Sequence, residues 1–292
     1  MTSIRTWIAG ARPRTLPAAV VPVMVGAASA IGVQGGPSVA WWRVVGALLV
    51  SLLLQVGVNY ANDYSDGVKG TDDVRVGPIR LVASGAATPK SVKLAAMTTL
   101  LIAAVVGLVL AVVTSWWLLV IGGLAILAAW GYTGGPKPYG YLGLGELFVF
   151  VFFGLVATIG TAYVAIEQIP GVTWVAACGV GFLACALLVV NNLRDIPTDR
   201  SVGKRTLAVR LGDRTTRWMY LCLIVAAFAV VGVMATVRPW SAIAFASIAV
   251  ARTPARSVLR GAAGRELIGV LGRTGKTQLA YGALLAIGLA IG

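Results

Sequence analysis

The 292-residue chain is 58% apolar with a mean hydropathy of +0.88, which excludes a soluble globular domain and predicts an all-α polytopic membrane bundle forming one domain over residues 1–292. Its formal charge of +14 comes from 24 Lys and Arg against 10 Asp and Glu. The chain has no His and no paired Cys spacing, which removes the usual zinc, haem and Ser-His-Asp chemistries. No nucleic-acid motif or aromatic-interleaved basic strand accompanies the basic residues, so the expected partner is the lipid bilayer and not nucleic acid.

The first thirty residues carry Arg5, Arg12 and Arg14, an apolar stretch and then Ala28-Ser29-Ala30, in the manner of a signal peptide. Pro17 and Pro22 interrupt the stretch and further hydrophobic segments follow, so it is expected to be retained as a first transmembrane helix. Runs long enough to cross about 30 Å of hydrocarbon predict nine spans, at 16–33, 40–61, 94–114, 117–133, 146–166, 173–192, 218–237, 239–251 and 277–292. All but two of the 24 basic residues, Arg43 and Arg238, then fall on one side. That asymmetry predicts a plasma-membrane protein with a cytoplasmic N-terminus and an outer C-terminus. Trp41, Trp42, Trp116, Trp117, Trp174 and Trp240 mark the outer ends of the spans, and Trp7, Trp130 and Trp218 the inner ends, as an aromatic belt requires. Cys178, Cys185 and Cys222 lie inside apolar segments and read as packing residues, as do most of the 36 glycines.

Six of the ten acidic residues gather in two places, Asn59-Tyr-Ala-Asn62-Asp63-Tyr-Ser-Asp66 running on to Asp72-Asp73, and Asn191-Asn192-Leu-Arg-Asp195-Ile-Pro-Thr-Asp199. Asn59, Asn62, Asp63 and Asp66 share one helical face, and so do Asn192, Asp195 and Asp199, with Asn191 four residues before Asp195. Four spans separate the stripes, so they meet only if the fold brings two inner helix ends together. Carboxylates at the edge of hydrocarbon need cations. An oxygen-only donor set predicts two Mg²⁺ ions, or Mn²⁺ in their place, held by residues of the two stripes, Asn62, Asp63, Asp66, Asn191, Asn192, Asp195 and Asp199. A diphosphate bridging them would meet Lys204 and Arg205, with Lys69, Arg75 and Arg80 also in reach. An ion-coupled transporter is the competing class, but these carboxylates sit at inner helix ends beside basic loops. Simple neutralisation at the interface accounts for Glu266 or Asp213, but not for Asn and Asp repeated together at helical spacing. The Asp pattern of CDP-alcohol phosphotransferases fails because Asp66-Gly67 continues into Val68-Lys69.

At these residues the sequence resembles the UbiA superfamily of intramembrane aromatic prenyltransferases, and within it the 1,4-dihydroxy-2-naphthoate polyprenyltransferases of menaquinone biosynthesis. Asn62 and Asp66 match the start of the first Asp-rich motif, and Asp195 and Asp199 match the second. Position 70 is Gly where the first motif has Asp, leaving Asp72 or Asp73 to complete it. The likeness is carried by Ala11-Arg-Pro-Arg-Thr-Leu-Pro17, Arg75-Val-Gly-Pro-Ile-Arg80, Tyr132-Thr-Gly-Gly-Pro-Lys-Pro-Tyr139 and Gly203-Lys-Arg-Thr-Leu-Ala-Val-Arg-Leu-Gly212, together with the stripes.

The resemblance implies nine helices and transfer of a polyprenyl chain from polyprenyl diphosphate to 1,4-dihydroxy-2-naphthoate with decarboxylation, or to another acceptor such as 4-hydroxybenzoate. It makes Asp66, Asp195, Asp199, Lys204 and Arg205 the catalytic set. Tyr132, Tyr139 and Tyr141 are either ring faces for an allylic cation or interfacial anchors. Arg12 and Arg14 either hold an anionic acceptor or anchor the helix at the inner face. Glu146 receives only a helix N-terminal placement.

Overall fold

The computed structural model describes residues 2–33, 36–71, 77 and 80–292, and among the described residues every regular element is helical. In chain order they are α1 (Ile4–Gly10), α2 (Pro17–Ser29), α3 (Trp41–Val68), α4 (Pro89–Val113) and α5 (Trp117–Gly131), then α6 (Gly145–Ile166), α7 (Gly171–Ser201), α8 (Leu207–Ala235), α9 (Pro239–Leu259) and α10 (Glu266–Ile291). Tight 3₁₀ turns at Pro13–Thr15 and Tyr139–Leu142 lead into α2 and α6. Six helices, α3, α4, α6, α7, α8 and α9, are long and apolar enough to cross a membrane. Helices α2 and α5 are apolar but shorter, and α10 is long but carries Arg273 and Lys276.

The outward faces identify the solvent. On α4 the exposed side chains are Leu94, Met97, Leu101, Val105, Leu108 and Val112, and on α5 they are Trp117, Val120, Leu124 and Leu127. Apolar surface on this scale is stable in hydrocarbon and not in water, so the chain is a multi-pass membrane protein. Trp41, Trp42, Trp116, Trp117, Trp174 and Trp240 are exposed near helix ends, and Trp218 is exposed within α8. Trp7 and Trp130, expected in the same belt, instead pack on α3: Trp7 lies edge-on to Tyr60 at 5.6 Å and Trp130 lies 6.2 Å from Tyr64.

The main core lies among α2, α7, α8, α9 and α10 and is built from Val, Leu, Ala and two fully buried tyrosines, Tyr220 and Tyr281. Each tyrosine hydroxyl has a partner, Thr274 for Tyr220 and the Ala227 carbonyl for Tyr281. Small residues set the helix spacing. Helices α6 and α7 touch at a glycine pair, where a Cβ on Gly154 would stand 2.6 Å from the Cα of Gly181. Seven residues of α6, Phe150–Val156, widen into a π-helical turn, a form concentrated at functional sites.

Several helices run further than hydropathy alone suggests: α8 begins at Leu207, α9 runs to Leu259 and α10 begins at Glu266, and the two that bear on the stripes are α3 and α7. Helix α3 continues past 61 to Val68 and α7 past 192 to Ser201, so both acidic stripes lie within helix. Hydropathy falls there because the residues are polar, yet the helical period persists and neighbouring chains satisfy the side chains. Helix α8 is broken at Gly212 (φ 77°, ψ 171°), which separates a short first turn from the apolar span.

Candidate active site

The first stripe is spent on several neighbours. Both oxygens of Asp63 accept backbone N–H groups, Oδ2 from Leu81 at 2.9 Å and Oδ1 from Val82 at 3.0 Å, which clasps the α3–α4 connection to the end of α3. Asn62 Oδ1 accepts the Thr133 hydroxyl at 2.8 Å. Asn59 Nδ2 donates to the Ala11 carbonyl and to Thr15, tying down the turn before α2. Asp66 faces the rest of the site: its Oδ1 accepts the Tyr141 hydroxyl at 2.7 Å and its Oδ2 pairs with Lys204 Nζ at 2.9 Å.

On the second stripe, Arg194 donates Nε and Nη2 to the two oxygens of Asp195 at 2.7 and 2.8 Å, and Nη2 also reaches Asn191 Oδ1 at 2.9 Å. A planar fork on a carboxylate is the strong form of this contact. Asn192 Nδ2 donates to Glu146 Oε1 at 3.0 Å. Asp199 is buried, and its carbonyl accepts the Lys204 N–H at 2.8 Å. Gly203, at φ +76°, lets the chain reverse after α7 and return Lys204 to the acidic helix end.

The Lys204–Asp66 pair therefore joins the two stripes, and both side chains are buried. Tyr141 stands between two ammonium groups, with Lys204 Nζ 4.8 Å and Lys69 Nζ 5.0 Å from its ring centroid. Lys69 Nζ donates to the Thr133 carbonyl at 2.7 Å and holds the turn that opens the 132–139 motif. Partial burial pushes the Lys69 ammonium below the usual lysine range, with Asp66 opposing and Lys204 adding to the shift. The Tyr132 ring lies against the start of α6, where a Cβ on Gly145 would meet it at 3.2 Å.

Beside this junction lies a cavity of about 1050 Å³. Most of its wall is apolar, including Leu54, Ile121, Val151, Leu155 and Leu187, while Arg12, Asn59, Asn62, Arg80, Asn191 and Arg194 form a polar end. Tyr139 and Phe148 stack at 3.9 Å, Phe152 lies 6.1 Å from Phe148, and Tyr132 meets Tyr139 edge-on at 5.5 Å, giving one continuous aromatic wall.

The UbiA prenyltransferase family profile matches residues 19–264. A 1,4-dihydroxy-2-naphthoate octaprenyltransferase of Mycobacterium tuberculosis is 49% identical over 292 residues, covering 100% of this chain and 99% of the relative. The chain belongs to the UbiA prenyltransferase family. Solved structures of low identity share the UbiA fold. A digeranylgeranylglyceryl phosphate synthase is 14% identical with a TM-score of 0.65 over 100% of both chains. A UbiA homologue from Archaeoglobus fulgidus, bound to DMAPP and Mg²⁺, is 14% identical with a TM-score of 0.58 over 96% of this chain and 99% of that one.

Against the sequence expectations for a UbiA site, the fold brings Arg12, Arg14, Asn62, Arg80, Tyr132, Tyr139 and Asn191 to the cavity wall. It gathers Asp66, Lys69, Tyr141 and Lys204 beside them. Asp195, Asp199 and Asn192 are buried at the end of α7. Arg205 is exposed, its N–H donating to the Tyr141 carbonyl and its own carbonyl accepting Arg210 Nε, so the backbone of Arg205 and not its side chain faces the site. Asp72, Asp73 and Arg75 lie outside the described residues. Sequence reading passed over Arg194, Thr133, Phe148 and Phe152 as site residues and gave Glu146 no firm role. For Arg194 a signal was present: a basic residue directly before an acidic one at the end of an apolar helix.

The donor set fits a hard divalent cation in kind. Buried carboxylates at Asp66, Asp195 and Asp199 lie with amides at Asn62, Asn191 and Asn192, and the chain has no His. Among the described residues no three acidic side chains form one cluster, and the Lys204 ammonium supplies the positive charge at Asp66.

Proposed function

We propose that this chain transfers a polyprenyl group from polyprenyl diphosphate to 1,4-dihydroxy-2-naphthoate with decarboxylation, giving the demethylmenaquinone of menaquinone biosynthesis in its reduced, quinol form. The observation that carries the reading is the buried Asp66–Lys204 pair, which joins two acidic helix ends beside a long apolar cavity. Full-length likeness to a naphthoate octaprenyltransferase supports the choice of acceptor.

The cavity takes the isoprenoid tail and its polar end takes the diphosphate. Asp66, Asp195 and Asp199, with Asn62, Asn191 and Asn192, would hold two Mg²⁺, or Mn²⁺ in their place, and Asp72 would complete the first set. When bound, the metal neutralises charge that develops on the leaving diphosphate. Lys204 donates to diphosphate oxygens, and Lys69 and Arg80 raise the local positive charge, to which the sequence motif expects Arg75 to add. Asp63 holds the α3–α4 connection through the two N–H groups that it accepts.

The allylic C–O bond breaks with its electron pair leaving on the diphosphate. The wall of Tyr132, Tyr139, Phe148 and Phe152 keeps water out and presents ring faces to the allylic cation. A ring carbon of the naphthoate supplies the pair for the new C–C bond, and the carboxylate departs as CO₂, returning its bonding pair to the ring. Arg12 and Arg14, both on the cavity wall, orient the acceptor carboxylate.

The same reading makes residues 1–292 one domain with nine membrane spans, adding α2, α5 and α10 to the six long apolar helices. The N-terminus and the site face the cytoplasm, the C-terminus faces outward, and the host membrane is the plasma membrane. A label at residue 205 should react only from the cytoplasm and one at residue 170 only from outside. For the reaction, membranes containing the protein receive a polyprenyl diphosphate and either 1,4-dihydroxy-2-naphthoate or 4-hydroxybenzoate, with products identified by mass. A decarboxylated prenyl naphthoquinol is expected. Product from 4-hydroxybenzoate alone would assign the other acceptor.

A further inference from the structure

We infer that Glu146 is a positioning residue that fixes the Asn192 amide so that its oxygen faces the acidic stripe of α7. The inference rests on the reading of the two stripes as a metal and diphosphate site. Glu146 stands in the first turn of α6, far in sequence from either stripe, and the fold delivers it by close helix contact. A Cβ on Gly145 would meet the Tyr132 ring at 3.2 Å and Leu188 at 3.3 Å, so the start of α6 is seated directly on Tyr132 and α7. The Gly154–Gly181 contact holds the same two helices together farther along, and Cys185 Sγ donates to the Glu146 carbonyl at 3.1 Å. These contacts leave the Glu146 side chain facing Asn192.

Hydrogen-bond chemistry then fixes the amide. Glu146 Oε1 accepts from Asn192 Nδ2 at 3.0 Å, and a carboxylate oxygen takes only the amide nitrogen. The carbonyl oxygen of Asn192 is thereby the atom left for the other side. Asn192 precedes Asp195 by three residues and Asp199 by seven, so that side is the stripe. A packing role alone accounts poorly for the residue. Glu146 is 9% exposed, and its Oε2 has no hydrogen-bond partner among the described residues. A buried carboxylate with one oxygen left over is a cost that a structural hydrogen bond does not require, although the N-terminus of α6 offsets part of it. Partners of this kind, one step behind a ligand, set the ligand's orientation.

The test titrates detergent-purified protein with Mn²⁺ in the presence of inorganic diphosphate and follows the free ion by electron paramagnetic resonance. Glu146→Leu should weaken Mn²⁺ binding about 10-fold or more, Asn192→Ala should do the same, and the double variant should be no weaker than either. Glu146→Gln, whose amide oxygen can still accept from Asn192, should stay within about 3-fold of the wild type. Metal-free thermal unfolding checks that each variant is folded, and Glu146→Ala replaces the leucine variant should that one not fold. Wild-type affinity in both apolar variants, equal loss in Glu146→Gln, or losses that multiply in the double variant would each overturn the inference. A wild-type protein that shows no saturable Mn²⁺ binding would instead remove the metal reading on which it rests.

Discussion

The ends of α3 and α7 carry the same kind of sequence, Asn and Asp on one helical face, yet they are held in opposite ways. Among the contacts that the described residues display, those holding the polar residues at the end of α3 are mostly to neutral partners: backbone N–H groups for Asp63, a Thr hydroxyl for Asn62 and a Tyr hydroxyl for Asp66. At the end of α7 they are fixed by charged side chains, Arg194 on Asp195 and Glu146 on Asn192, both buried. Only Lys204, returning from beyond α7 to Asp66, joins the two by an ion pair that the described residues display. Sharing one helical face therefore does not mean sharing one task. In the first stripe Asp63 holds the fold while Asp66 is presented to the junction.

Substitutions sharpen the contrast, the largest effects coming from the junction. Asp66→Ala and Asp199→Ala should each lower turnover at least about 10²- to 10³-fold while the protein still inserts. Asp63→Ala should chiefly lower the thermal midpoint, because two backbone donors lose their acceptor at about 1–3 kcal/mol each. Turnover assays and thermal unfolding on the same preparations separate these outcomes. A Asp63 variant as inactive as the other two, with an unchanged midpoint, would move Asp63 among the ligands. Next in size is Arg194→Leu, which removes two charge-assisted hydrogen bonds from the buried Asp195 carboxylate and should cost about 1.5–3 kcal/mol for each. Thermal unfolding reads it, and Arg194→Leu/Asp195→Leu should recover part of the loss. No recovery would show that Arg194 has another essential partner. The smallest contrast lies between adjacent residues. Lys204→Ala should raise the KM for prenyl diphosphate by about 10- to 100-fold, the equivalent of about 1.5–3 kcal/mol for one charge-assisted contact. Arg205→Ala, exposed at the surface, should change it by less than about 3-fold. Equal losses, or a change confined to the KM for the naphthoate, would contradict the separation.

Much of this was legible in the sequence because it depends on local periodicity. The helical face shared by Asn62 and Asp66, the paired face of Asn192, Asp195 and Asp199, and the positions of the apolar segments follow from spacing and hydropathy alone. The return of Lys204 was also readable, since Gly203 follows the second stripe at a position suited to a reversal. What was not legible depends on helices meeting in space. That Glu146 faces Asn192 requires α6 to lie on α7 at Gly154 and Gly181, and no pattern within either segment specifies the crossing. The clasp of Asp63 on Leu81 and Val82 depends on backbone donors, which carry no residue signature. Lys204 and Arg205 look equivalent in sequence, and only the turn after α7 buries one and exposes the other.

The central claim is that two acidic helix ends make one site. It is tested most directly by the binding of Mn²⁺ together with a non-hydrolysable prenyl diphosphate analogue to the wild type, Asp66→Asn, Asp199→Asn and the double variant. If the stripes form one site, either single substitution removes binding of the pair and the double variant is no worse. Single variants that each retain part of the binding, with losses that add in the double, would mean two independent sites and contradict the account.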